Sequence, residues 1–166
     1  KFKVPILSQL HHAGIRTVSG RPASPSAFHG TLRGREYTAD EMSEDEILLR
    51  EQQFIEAAVR ARAAGYDGVE LHCAHSYFLN AFLSPTVNHR TDRFGGNIEG
   101  RMRVVLDIME GIRHSCGENF LISVRLGFDE PDLESSAFMA GTFEKAGMDF
   151  LHVSTGFGST GFMDER

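Results

Sequence analysis

Ala63-Ala64-Gly65-Tyr66-Asp67-Gly68-Val69-Glu70-Leu71-His72-Cys73-Ala74-His75-Ser76-Tyr77 decides the fold. A small-residue helix end meets Gly65, the usual left-handed stop for a helix. A very short turn follows, and Asp67 to His72 reads as a strand. His72, His75 and Tyr77 then place three polar rings where that strand ends. A strand delivers such groups to one edge of a sheet, and the loop beyond converges them on a ligand. The bland alternative is a polar loop with two solvated histidines.

Working outward, the same grammar repeats. Val4-Pro5-Ile6-Leu7-Ser8-Gln9-Leu10 reads as a short buried strand, with Pro5 tolerable only near its start, and it runs into His11-His12-Ala13-Gly14. Residues 15–42 are rich in Gly, Pro, Ser and Arg without a sustained period, and are expected to be an irregular capping excursion. Ser43 with Glu46 makes a capping box, and Glu44, Asp45 and Glu46 suit the positive end of a helix. Ile47, Phe54, Ala58 and Ala61 fall on one helical stripe. Residues 77–83 allow one or two helical turns before Pro85. Residues 84–96 form a loop dense in hydrogen-bonding groups. Asn97 can cap a helix reaching about Ser115, with Val104, Val105, Ile108 and Ile112 buried. Phe120 to Val124 is a third strand delivering Arg125, a helix covers 133–146, and Phe150 to Val153 is a fourth strand. Residues 157–166 are a Gly-rich tail.

Strands alternate with helices, and the turns into strands are short, so the chain is α/β with a parallel sheet. The loops after strands carry Gln9, His11 and His12, then His72, His75 and Tyr77, then Arg125, then Ser154 and Thr155. The loops before strands are plain. That asymmetry is what a (β/α) barrel shows at its carboxyl edge. A doubly wound open sheet also binds ligands there, but no Gly-rich phosphate turn follows an early strand.

The 166 residues, 41% hydrophobic and 24% charged, have the composition of an ordinary globular domain. A net charge of −6 without a basic stripe argues against nucleic acid. No apolar run is long enough for a membrane span. Two cysteines, Cys73 and Cys116, make neither a disulfide framework nor a zinc motif, so a reducing, cytoplasmic setting is expected. A chain opening at Lys1, just before a strand-like run, is expected to be a piece of a longer protein.

His72-x-x-His75 invites a metal reading, with Asp129 or His11 to complete the set. Two imidazoles are too few for a catalytic zinc, and no other ligand sits at a compelling spacing. Cys73 as a nucleophile is disfavoured because neighbouring strand residues point apart. The reading that uses all three rings is an oxygen clamp. Neutral histidines each donate one N–H to a carbonyl or nitro oxygen and stabilise developing negative charge. Tyr77 carries a phenolic proton and can protonate a strong carbon base. Arg125 suits an anionic ring or a carboxylate, its bland alternative being a structural ion pair.

These residues carry a resemblance. Gln9-Leu10-x-His12-Ala13-Gly14, Ala63 through His72, His75-x-Tyr77 and Phe82-Leu83-Ser84-Pro85 resemble the old yellow enzyme family. Asn88-x-Arg90-x-Asp92-x-Phe94-Gly95-Gly96, Arg101-x-Arg103, Ser123-Val124-Arg125 and Val153-Ser154-x-Gly156 continue the match. The family comprises FMN-dependent NADH:flavin oxidoreductases and ene-reductases on a (β/α)8 TIM barrel. The resemblance implies that Gln9 hydrogen-bonds the flavin pyrimidine and Arg125 lies on its N1–C2 carbonyl side. It implies that His72 and His75 bind the oxygen of an activated alkene (an enone, enoate or nitro compound). Tyr77 then protonates the α-carbon after hydride reaches the β-carbon, and NADH or NADPH regenerates the reduced flavin. Two departures stand out. Ile15 occupies the place of an Arg common after Ala-Gly, leaving that role to Arg16 or to nothing. Gly100 replaces a usual Asn at a helix start, where Gly weakens a helix.

Four strands are present, matching the family's third to sixth, so residues 1–166 read as a partial TIM-barrel domain. The groups near flavin N5 and C4, and those holding the phosphate, belong to the other strands. Four strands leave two raw edges and an uncovered apolar inner face. The chain alone is therefore expected to be incomplete and inactive, and a non-catalytic half-barrel that self-associates through its edges is the competing reading. A metal-dependent TIM-barrel hydrolase is a distant third.

Overall fold

The computed structural model describes residues 4–32, 34–128 and 131–154. Strand β1 (Leu7–Leu10) is followed by a 3-10 turn (Gly14–Arg16) and a hairpin of β2 (Phe28–Leu32) and β3 (Arg35–Ala39). Helix α1 (Glu44–Ala63), β4 (Gly68–Cys73), the short α2 (Phe78–Leu83), α3 (Ile98–Cys116), β5 (Leu121–Gly127), α4 (Leu133–Lys145) and β6 (Phe150–Ser154) complete the chain. The main sheet runs β1-β4-β5-β6 with every pair parallel.

The expected helix starts are present. Ser43 caps α1 in a reciprocal box with Glu46, and Asn97 caps α3 by accepting from the Gly100 N–H. Strand parity then separates two faces. Val69, Leu71 and Cys73 of β4, with Ile122, Val124 and Leu126 of β5, turn to the helices. There they join Phe54, Ala58, Met102, Ile108, Ile112 and Phe143 in the main core.

Three sequence expectations need correction. First, β1 is shorter than Val4 to Leu10: Pro5 has no N–H for the ladder, and Val4 and Ile6 are exposed. Second, the excursion 15–42 is not wholly irregular, since it contains the hairpin. Phe28, Tyr37 and Thr38 favour strands, and Leu32 and Ala39 bury against Ile15, Ala81 and Val87. Third, the inner face of the sheet is not apolar. Gln9, Glu70, Ser123 and His152 line it, the other three each hydrogen-bonded to Glu70. At Gly100 packing adds to helix propensity: a Cβ there would lie 2.0 Å from the Gly95 carbonyl oxygen, so a side chain requires that loop to shift.

The dense loop 84–96 is a bolt. Buried Arg90 donates from Nη1 to the carbonyls of Pro25 (2.8 Å) and Met42 (2.7 Å), and from Nε to Asp92. It thus ties the interior of the excursion, at Pro25, and its end, at Met42, to this loop.

Glu51 interrupts the α1 stripe at a position where apolar residues were expected. It is 6% exposed, and its Oε1 has no hydrogen-bond partner among the described residues. Burial, helped by the Asp107 charge, pushes its carboxyl up to about 7 against the opposing pull of Arg93 and Arg103. The folded state therefore holds a proton that the unfolded chain releases above about 4.5. Stability falls as pH rises from about 4.5 to 7, and the full deficit persists above 7. Glu51→Gln is expected to stabilise the protein by about 1–3 kcal/mol at pH 8, with the gain vanishing near pH 4.5. Thermal melts at the two pH values check it, and an equal gain at both would contradict the burial argument.

Candidate functional site

The polar edge is built on register. His72 of β4 pairs with Arg125 of β5, which pairs with His152 of β6. Their side chains share the inner face with Gln9 and Glu70, one pleat further in. His72 and Arg125 lie within their strands rather than beyond them, because β4 runs to Cys73 and β5 to Gly127.

After Cys73 the chain turns sharply. His75 (φ 65°) and Ser76 (φ 63°) both occupy the left-handed region, a conformation costing roughly 1–2 kcal/mol for a residue with a Cβ. The turn is held by the Ser76 N–H donating to Asn80 Oδ1 at 2.8 Å. Its consequence is that Tyr77 comes back beside His72, with ring centroids 5.2 Å apart. His75 packs edge-on to His72 at 5.1 Å. Backbone strain at this one place assembles the three rings that sequence spacing alone could only list.

The segment after β1 supplies the neighbours. His11, two residues along from Gln9, sits edge-on to Tyr77 at 4.1 Å and 5.6 Å from His72. His12 turns away, accepting the Gly14 N–H on Nδ1 and the Phe78 N–H on its carbonyl. Gly14 (φ +59°) lets this crossing happen, since a Cβ there would lie 2.9 Å from the Phe78 backbone. Ile15 is fully buried in the hairpin core. Arg16 therefore reaches the site: its Cζ lies 4.6 Å from the Tyr77 ring centroid and Nη1 donates to the His75 carbonyl at 3.2 Å.

The electrostatics follow from the packing. His72 is 6% exposed. Burial, then the neighbouring positive charge of His75, Arg125 and His11, lowers its pKa to about 4. It is a neutral imidazole at physiological pH. Burial and the Arg16 charge also hold His11 below its ordinary value. His72 Nδ1 and Arg125 Nε are buried without a hydrogen-bond partner among the described residues. Arg125 Nη2 donates to Ser154 Oγ at 3.2 Å, and the same hydroxyl meets His75 Nε2 at 2.7 Å.

The structure thus brings His72, His75, Tyr77 and Arg125 to one edge, with Gln9 exposed on the same face and bonded through Nε2 to Glu70 Oε1 at 2.7 Å. Sequence reasoning missed Glu70, which looked like part of an apolar run. The available signal was its parity with His72. Cys73 points into the core, and burial pushes its thiol up, which leaves no nucleophile there. No group of three or more metal-ligating side chains is present among the described residues. Asp129, the carboxylate considered for such a group, lies outside them, as do Thr155, Gly156 and the tail 157–166.

The family model described as NADH:flavin oxidoreductase / NADH oxidase matches residues 3–154. An NADH oxidase of Thermoanaerobacter brockii is 42% identical over 93% of this chain and 25% of its own length. An NADPH dehydrogenase of Bacillus pumilus is 34% identical over 89% of this chain and 44% of its own. The fold superposes on the old yellow enzyme homologue from Zymomonas mobilis with a TM-score of 0.79 at 26% identity, covering 96% of this chain and 51% of that one. The chain spans about a quarter to a half of these relatives, and its four parallel strands are part of their barrel. It belongs to the NADH:flavin oxidoreductase / NADH oxidase family, for which FMN is the cofactor and NADH or NADPH the reductant.

Proposed function

We propose that this chain is the substrate side of an FMN-dependent NAD(P)H oxidoreductase that reduces activated alkenes such as enones, enoates or nitro compounds. The observation that carries the reading is a pair of buried nitrogens without a hydrogen-bond partner among the described residues, His72 Nδ1 and Arg125 Nε, on register-paired residues. A buried polar nitrogen left without a partner costs roughly 1–3 kcal/mol, a cost that a bound ligand removes by accepting from Arg125 Nε and pairing with the His72 ring.

FMN fits this donor set. Arg125 offers a permanent cation and Gln9 an amide on the same inner face, which suit the electron-rich pyrimidine edge of an isoalloxazine. When bound, FMN supplies the hydride. The chain's own residues do the rest. Neutral His72 donates to the substrate oxygen, and His75 joins it by exchanging its Ser154 contact. Both stabilise the negative charge that builds on that oxygen during reduction. Tyr77 holds the proton delivered to the carbon beside the activating group, and His11 and Arg16 fix its ring.

The free thiols Cys73 and Cys116 are buried and unpaired, which supports a cytoplasmic setting as part of the proposal; no helix among the described residues is long and apolar enough to cross a membrane. The complete barrel containing these strands is expected to purify yellow and to lose its flavin absorbance anaerobically on addition of NADH or NADPH. A protein that stays colourless after reconstitution with FMN contradicts the proposal.

A second reading concerns the 166 residues alone. Phe150, Leu151 and Val153 of the β6 edge are 50%, 41% and 51% exposed, and Val4 and Ile6 flank the β1 edge. Such edges favour self-association of the isolated piece into a non-catalytic assembly. Sedimentation decides it, a compact monomer counting against the idea.

A further inference from the structure

The centre of the inner face is one carboxylate with three hydrogen-bond partners on three different strands. Glu70 Oε1 accepts from Gln9 Nε2 at 2.7 Å. Glu70 Oε2 accepts from Ser123 Oγ at 3.0 Å and faces His152 Nδ1 at 3.0 Å. Burial pushes the carboxyl up, but the bonds from Gln9, His152 and Ser123 outweigh it and hold Glu70 below the ordinary carboxylate range. It is ionised at neutral pH.

An ionised carboxylate only accepts. Its partners must therefore all present hydrogens to it, which fixes the polarity of each. The Ser123 hydroxyl points its proton inward, and His152 carries hydrogen on Nδ1. Gln9 has no choice of amide orientation: the NH2 end faces Glu70 and the carbonyl oxygen faces away. A free glutamine amide offers either end to a ligand, so position 9 is an acceptor only because Glu70 makes it one.

We propose that Glu70 is a positioning residue of the flavin pocket, locking the Gln9 amide so that its carbonyl oxygen accepts the imide N–H of the flavin pyrimidine. This rests on the reading that Gln9 faces the flavin. The group recognised is an imide N–H, and the discrimination is against rings that present an acceptor at that position. Replacing Glu70 by glutamine keeps the shape but adds an NH2, which can donate to the Gln9 oxygen and release the amide to turn over.

The test uses the complete flavoprotein, titrated with FMN for Kd and loaded with 15N-labelled FMN to read the flavin N3–H resonance. Gln9→Ala tests the underlying reading: it should weaken FMN about tenfold and move the N3–H signal upfield. If it moves neither, Gln9 does not contact the imide, and both the Gln9 assignment and the lock fall. If it does, Glu70→Gln should produce the same displacement and a similar loss, and the double variant should bind no worse than Gln9→Ala alone. An unchanged N3–H signal in Glu70→Gln, or losses that add in the double variant, would overturn the lock while leaving Gln9 at the flavin. Should Glu70→Gln fail to fold, Glu70→Asp gives the same readout, because it keeps the charge but withdraws the oxygens from Gln9.

Discussion

Tyr77→Phe is expected to slow alkene reduction by about 10²- to 10⁴-fold while leaving flavin reduction by NADH or NADPH nearly unchanged. The asymmetry follows from how the ring is held. His11 packs edge-on at 4.1 Å, His72 at 5.2 Å, and the Arg16 guanidinium lies 4.6 Å from the ring centroid. None of these contacts uses the hydroxyl, so phenylalanine keeps the packing and loses only the proton. Reduction of the flavin by a nicotinamide needs no proton at the substrate carbon, whereas saturation of the alkene does. Anaerobic stopped-flow measurement of the two half-reactions separates them. Equal slowing of both would show that Tyr77 shapes the site and does not deliver the proton.

Replacing both His72 and His75 by alanine is expected to abolish tight binding of phenolic ligands and lower the alkene half-reaction by about 10²- to 10³-fold, the scale for losing donors to a developing oxyanion. In the intact protein a bound phenolate over the flavin should give a long-wavelength charge-transfer band. That band should be lost in the double variant, and its survival would remove the oxygen-gripping role. The pH profile adds a second constraint. His72 is held neutral down to about pH 4 by burial and by the charges of His75, Arg125 and His11. Ligand binding should show no inflection from His72 between pH 5 and 8. An inflection near 6.5 that disappears in His72→Ala would contradict the buried, neutral imidazole.

The repeating strand and helix units were legible because each carries its own local signature. The Ser43–Glu46 box, the Gly65 stop and the apolar stripe from Ile47 to Ala61 are properties of neighbouring residues, and the structure contains all three. What escaped depends on contacts between distant segments. The hairpin of Phe28–Leu32 and Arg35–Ala39 was hidden because its strands are short and half-polar, and it is stabilised by Ile15, Ala81 and Val87. Arg16 could not be assigned from spacing, since burial of Ile15 decides which of the two adjacent residues reaches Tyr77. Glu70 escaped for the opposite reason: one carboxylate in an apolar strand looks accidental until β1, β5 and β6 each bring it a donor. Helix propensity at Gly100 is legible from residue type, whereas its close approach to the Gly95 carbonyl is visible only in the structure. The three rings at the strand end are legible in the sequence and lie together in the structure, but the left-handed backbone at His75 and Ser76 that gathers them is not foreseeable from residue type.

Whether this edge presents an activated alkene to a reduced flavin is decided anaerobically: the complete flavoprotein is reduced with one equivalent of NADH or NADPH, and 2-cyclohexenone is then added. The oxidised flavin spectrum is expected to return as one equivalent of the saturated ketone forms. A flavin that stays reduced in the presence of excess enone, and of a nitroalkene and an enoate tried in turn, would contradict it.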